Sequence, residues 1–358
     1  MSQPVEAVLV GAGGRGYGAF GAYALRHPHQ LKFVAVAEPI AERRERFARE
    51  HNIPPERCFR TWEELFAQPQ LAPALVNATM DRDHVASTLP ALRAGYHVLL
   101  EKPMAVTAAD CVSLVRAAEA ADRILAIGHV LRYAPLFSVL RQIVCEGRLG
   151  EVVTVEHKEN VAFWHMAHSF VRGNWGNAEK SSPMILAKCC HDLDLLVWIL
   201  GRRCTRLSSF GSLTHFRAEH ASPDVPERCT DGCPRENDCP YFAPRQYLGP
   251  NTGWPVSAIA TDLSYEGRLR ALLQGPYGRC VYRCDNNVVD HQVINMEFEG
   301  GLTVAFTMHG HSHENVRTMR YCGTRATLRA HEGRHEIAVH DYLTGREDRI
   351  QPGHAVGG

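Results

Sequence analysis

The sequence predicts an α/β chain: a doubly wound parallel sheet comes first, then an α+β domain with a largely antiparallel open sheet. Three observations carry this. The first third alternates short apolar runs with helical stretches. A glycine-rich turn, Gly11-Ala12-Gly13-Gly14-Arg15-Gly16, closes the first of those runs. After Gly128 the alternation stops and longer strand-like segments take over.

Val5–Val10, Lys32–Ala37, Ala74–Thr79, His97–Leu100 and Ile124–Ile127 read as buried parallel strands. Each is short and mostly apolar, as a strand covered on both faces must be. Between them Gly16–Arg26, Ala41–Glu50, Asp83–Gly95 and Thr107–Ala121 carry helical patterns. Thr61 and Asp83 are placed to cap helix N-termini, and Gly95 a C-terminus. Such alternation implies right-handed crossovers and a Rossmann sheet over residues 1–128. Residues 129–358 form the second domain. There Ala134–Glu146 looks helical and Glu151–Asn160 extended. Pro183–Leu200 reads as one helix, with Pro in the first turn and Gly201 at its end. Val288–Phe298 and Leu302–Met308 flank Glu299-Gly300-Gly301, a hairpin signal. Residues 216–255 are rich in Pro, Gly, Asp and Cys without a period, and read as a long irregular insertion.

Composition narrows the function. Lys+Arg and Asp+Glu are both 39 in 358 residues, so no net field favours nucleic acid or an anionic membrane. No apolar stretch is long enough to span a bilayer. The N-terminus lacks the basic region and apolar core of a secretion signal, so the expected location is cytoplasmic.

The glycine turn has the chemistry of a phosphate cradle. Gly11 permits a tight exit from the strand, Gly13 and Gly14 leave backbone bare beside Arg15, and Gly16 lets the next helix pack closely. The helix N-terminus then offers N–H groups to a pyrophosphate. Glu38 ends the second strand at the spacing of an acid that binds ribose hydroxyls. Its charge would repel a 2′-phosphate, which favours NAD. Arg43 and Arg44 follow closely enough to keep NADP open.

Glu101-Lys102-Pro103 closes a later strand of the same sheet. Ligands of open α/β sheets sit outside the carboxyl ends of the strands. A lysine there suits a hydrogen bond to a substrate hydroxyl or a developing alkoxide. In the second domain Lys188, His191 and Asp194 are spaced i, i+3, i+6 in the Pro183–Leu200 pattern, along one helix face. A histidine there is a natural proton acceptor.

The glycine turn, Glu38, Glu101-Lys102-Pro103 and His191-x-x-Asp194 together resemble the Gfo/Idh/MocA oxidoreductases, over nearly the whole chain. The resemblance implies hydride transfer between NAD(P) and a secondary alcohol or ketone of a sugar, cyclitol or related polyol. It implies that Lys102 contacts nicotinamide ribose and substrate, and that His191 is the acid/base. It implies that Thr79 and His84 line the cofactor beside Glu101. It also implies a homodimer or homotetramer paired through the open sheet. One departure stands out: many members carry Asp four residues before the histidine, where this chain has Ala187 followed by Lys188. Either Lys188 supplies a different polar contact, or Asp192 or Asp194 orients His191. The departure keeps open an NAD-retaining lyase or glycosidase that oxidises its sugar transiently. A non-catalytic NAD(P)-sensing protein is the remaining alternative.

Cys229, Cys233 and Cys239, with Cys284 as a fourth candidate, resemble a structural zinc site clipping the insertion. Reduced buried thiols and a redox pair are the other readings. Trp164, His165 and Trp175 read either as cleft-lining residues or as core.

Overall fold

Apolar runs too short for helices pair as six parallel strands in the first half of the chain. They are β1 (Val5–Val10), β2 (Leu31–Ala37), β3 (Cys58–Phe59), β4 (Ala74–Asn77), β5 (His97–Leu100) and β6 (Leu125–Ile127), in the order β3-β2-β1-β4-β5-β6. The order reverses between β1 and β4, the crevice position of a doubly wound sheet. This computed structural model describes residues 3–353 and divides into two units between His129 and Val130.

Helices cover both faces of the first sheet with separate apolar clusters, one around Val8, Ala35, Leu75 and Leu114, the other around Leu9, Phe33, Phe47 and Val76. The caps follow the sequence unevenly. The Thr61 side chain accepts from Glu64 N at 3.3 Å, and Gly95 takes φ +89° after helix His84–Arg93. Asp83 makes no side-chain cap, because a 3-10 turn, Asp81–Asp83, precedes the helix. The stretch after the glycine turn opens as a π-helix, Gly16–Gly21, before Ala22–Arg26.

The second unit is built on eight strands: β7 (Val152–Ala162), β8 (Cys204–Ser212), β9 (His291–Phe298), β10 (Thr303–Ser312), β11 (Val316–Gly323), β12 (Ala326–His331), β13 (Glu336–Asp341) and β14 (Glu347–Ile350). Their order is β14-β13-β12-β11-β7-β10-β9-β8. The β7–β10 pair is parallel and the other neighbours antiparallel. Gly300 and Gly301, both at positive φ, turn β9 into β10 as the hairpin signal requires. Burial alternates along β7 and β10, so one face is solvated and the other packs on helices Pro135–Cys145 and Cys190–Leu200. The irregular region is longer than residues 216–255. It runs from β8 to β9, and short helices Ala243–Tyr247 and Tyr265–Gln274 lie within or beyond the expected span.

A π-helix, Met166–Arg172, is buried over all seven residues. Within it His168 takes a hydrogen bond with the Tyr247 hydroxyl at 2.9 Å. Burial, helped by the Arg172 guanidinium, pulls its imidazole down to about 4. The unfolded chain therefore binds an extra proton between the ordinary histidine value and about 4. Stability is full above that window and falls through it on acidification, by on the order of 3 kcal/mol. Urea midpoints measured against pH should show the loss, and His168→Gln should flatten it.

Candidate active site

Four strand ends of the first unit bring the expected cofactor residues to one edge of the sheet. Gly11 follows β1 at φ +89°, and its N–H donates to Ala37 O at 2.9 Å. A Cβ on Gly16 would stand 1.9 Å from Gly11 O, so the helix start presses directly on the strand exit. Gly13 and Gly14 leave the outer side of the turn as bare backbone; a Cβ on Gly14 would meet nothing within 4 Å. Glu38 is 4% exposed and its carboxylate accepts from Ala12 N at 2.8 Å and Ile40 N at 3.0 Å. A carboxylate has about four acceptor positions, so one bond to the turn and one to the chain after β2 leave capacity for ribose hydroxyls. These features fit a dinucleotide: a close-packed turn, bare amides and an acid locked to both.

Because the Gly16 contact is backbone against backbone, neither side can yield. Gly16→Ala is expected to destabilise the chain by about 3 kcal/mol, the upper end for overpacking. It should also abolish NAD(H) binding, read by urea unfolding and by fluorescence of added NADH.

Asn77, buried at the end of β4, donates to Ser87 Oγ at 2.7 Å and Thr88 Oγ1 at 2.9 Å. Its Oδ1 accepts from the Thr79 hydroxyl at 2.8 Å, which fixes Thr79. At the end of β5 the Glu101 carboxylate pairs with Arg15 Nε at 2.7 Å and accepts from Lys102 N at 3.2 Å. Lys102 is half-buried. His84 lies deeper than the lining position expected of it: it is 1% exposed, with ring nitrogens facing Pro103 O and Thr79 O.

In the second unit the expected single helix is interrupted. Met184–Ala187 and Cys190–Leu200 are separate helices, with Lys188 and Cys189 between them outside regular helix geometry. The break lets Cys189 bury completely and turns Lys188 onto Glu159 of β7 at 3.3 Å. Lys188 and His191 therefore do not share one continuous helix face. His191 and Asp194 do lie on one helix, and Asp194 is paired with the Arg132 guanidinium, its Oδ2 accepting from Nε at 2.7 Å.

Sequence spacing missed the ion network beneath this segment. Arg317, opposite Glu159 across the β11–β7 ladder, approaches it at 2.6 Å. Its Nε and Nη2 donate to the Asp192 carboxylate at 2.7 and 3.1 Å. Asp192 also bonds His157 Nε2 at 2.8 Å, and Arg317 reaches Glu332 at 3.4 Å. His157, Glu159 and Asp192 are each at most 1% exposed. Burial opposes the Asp192 charge, but the Arg317 guanidinium and His157 outweigh it and hold its carboxyl well below the usual carboxylate range. Alternating burial in β7 with polar residues at its inward positions was the available signal.

The metal expectation is corrected. Among the described residues no group of three or more His, Cys, Asp or Glu side chains is arranged to hold a metal ion. Cys229, Cys233, Cys239 and Cys284 are free. The buried Arg172 guanidinium stands beside the cluster, 3.6 Å from Cys229 Sγ, and its positive charge would repel a metal cation there. Burial pushes the Cys239 and Cys280 thiols up, and that of Cys284 to about 11.

Comparison with known proteins agrees with the fold. The description "Oxidoreductase family, NAD-binding Rossmann fold" matches residues 5–129, and "Oxidoreductase family, C-terminal alpha/beta domain" matches residues 141–352. The bovine trans-1,2-dihydrobenzene-1,2-diol dehydrogenase is 35% identical over 155 residues, 42% of this chain and 44% of that protein. The 1,5-anhydro-D-fructose reductase of Ensifer adhaerens is 31% identical over 167 residues, 47% of this chain and 48% of that protein. The chain thus spans about half the length of these curated relatives. An inositol dehydrogenase homolog from Azotobacter vinelandii, solved with NAD+, superposes with a TM-score of 0.68 at 19% identity, covering 98% of this chain and 77% of that one. With both halves matched in order, the chain belongs to the Gfo/Idh/MocA oxidoreductase family.

Proposed function

We propose that the chain is an NAD(P)-dependent dehydrogenase or reductase that moves a hydride between nicotinamide and a secondary alcohol or ketone carbon of a sugar, cyclitol or related polyol. The observation that carries this reading is Lys102 at the exit of β5, on the same sheet edge as the glycine turn and Glu38. The relatives' names, a dihydrodiol dehydrogenase and an anhydrofructose reductase, support the substrate class.

NAD, when bound, supplies the hydride-accepting carbon. The chain's residues do the rest. The turn amides take the pyrophosphate and Glu38 takes the ribose hydroxyls. Lys102 Nζ donates to the substrate oxygen and stabilises its negative charge as the hydroxyl proton leaves. His191, on helix Cys190–Leu200 of the second unit, is the acid/base that the family resemblance implies. Lys188, held by Glu159, follows Ala187, the position where the family resemblance implies an acid. NAD is preferred to NADP, because Glu38 turns its carboxylate to the turn while Arg44 is engaged by Glu38 O at 2.6 Å.

The solvated face of the second sheet supports subunit pairing. Phe210 and Val293, register partners on β8 and β9, are 71% and 39% exposed. Sedimentation should show a dimer or tetramer; a monomer at micromolar concentration would contradict the pairing. No helix among the described residues is long and apolar enough to cross a membrane.

A panel of sugars and polyols with NAD and with NADP, followed by absorbance of reduced nicotinamide, tests the activity. Turnover with at least one polyol, faster with NAD, is expected. Tightly retained NAD with no net reduction would instead favour the transient-oxidation reading that Ala187 keeps open.

A further inference from the structure

We propose that His84 is a positioning residue for Lys102, clamping the turn that carries it; the inference rests on the oxidoreductase reading above. His84 opens helix His84–Arg93 and is 1% exposed. Its Nδ1 lies 2.7 Å from Pro103 O and its Nε2 lies 3.3 Å from Thr79 O. Those two carbonyls belong to the chain leaving β5 and the chain leaving β4. A carbonyl oxygen can only accept, so the shorter contact places an N–H on Nδ1, donating to Pro103 O.

The ties on the two sides of Lys102 differ. On the N-terminal side, Glu101 N donates to Asn77 O at 2.9 Å, Lys102 N donates to Glu101 Oε2 at 3.2 Å, and Glu101 Oε1 pairs with Arg15. On the C-terminal side the His84 ring bonds Pro103 O. Pro103 has no N–H of its own to hold the turn. The Cα is where the four-carbon lysine stem starts, so a shift of the turn shifts the reach of its ammonium. A histidine that touched the cofactor would have to present a ring nitrogen; both nitrogens here face backbone carbonyls of the first unit. His84 therefore acts through Lys102.

The chain has only five lysines, Lys32, Lys102, Lys158, Lys180 and Lys188, which makes the test direct. Reductive methylation with 13C-formaldehyde labels each one, and Lys102→Arg identifies the Lys102 signal by its disappearance. In His84→Ala the Lys102 signal is expected to move or broaden by more than its linewidth. The other four should stay put, and NAD should bind within about threefold of wild type, well short of the loss expected for a direct ligand. His84→Gln, which keeps a donor within reach of Pro103 O, is expected to restore the signal. With any polyol that the panel shows to be turned over, His84→Ala should lower kcat about tenfold or more with KM little changed, as a misplaced catalytic group does. If alanine leaves the chain unfolded, His84→Leu fills the space without a donor and carries the same test. A Lys102 signal unmoved in a folded His84 variant overturns the clamp, as does movement of all five signals together. The spectrum needs no substrate, so failure of the whole panel would sink the oxidoreductase reading without touching this result.

Discussion

Replacing Arg317 with alanine is expected to lower the stability of the fold by about 3–5 kcal/mol, the range for stripping one partner from a buried ion pair. Arg317 is 6% exposed and neutralises Asp192 and Glu159 at once, with Glu332 at the edge. Removing it leaves the buried Glu159 carboxylate with Lys188 as its remaining cation. His157 then faces Asp192 alone. The sign of the pH effect follows from the depressed Asp192 carboxyl. Its contribution is complete above the ordinary aspartate range and is lost only as pH falls through the lower folded value. Without Arg317 that depression is largely gone, so the acid limb of the stability curve moves to higher pH. Urea unfolding of wild type and Arg317→Ala from pH 7 downward measures both effects. Equal midpoints would show that the network carries no net stability.

Lys102→Ala has the largest expected effect on rate. Lys102 follows Glu101, whose carboxylate is held by Arg15 and whose N–H is held by Asn77 O. Alanine leaves those ties in place and removes only the ammonium. Turnover should fall at least about a hundredfold, the lower range for a positioned proton-handling group. The glycine turn and Glu38 are untouched, so NAD affinity should hardly change.

Five of the six strands of the first sheet were legible because each is a short apolar run bounded by turn or helix signals; β3, Cys58–Phe59, has only two residues and no period to announce it. Helix Ala41–Glu50 falls where its pattern placed it, and the Glu299-Gly300-Gly301 hairpin needed only local turn chemistry. The site was legible where it lies in consecutive residues: the glycine turn, Glu38 and Glu101-Lys102. What the sequence hid depends on contacts between distant residues. The break at Lys188-Cys189 is drawn by Glu159, a partner on another strand. Arg317 lies 125 residues from Asp192, and no periodicity within either segment announces the pair. The cysteine spacing suggested a metal because spacing says nothing of Arg172, which the π-helix Met166–Arg172 carries to Cys229.

On the reading proposed above, Lys102 serves hydride transfer at a polyol carbon, beyond any contact it makes with the nicotinamide ribose. The most direct measurement gives wild type and Lys102→Ala the same polyol at saturating NAD and follows reduced nicotinamide by absorbance, with NAD affinity titrated in parallel. Turnover by wild type, a loss of at least about a hundredfold in the variant, and preserved NAD binding are expected. Turnover by Lys102→Ala at the wild-type rate, or a loss explained wholly by lost NAD binding, would contradict that reading.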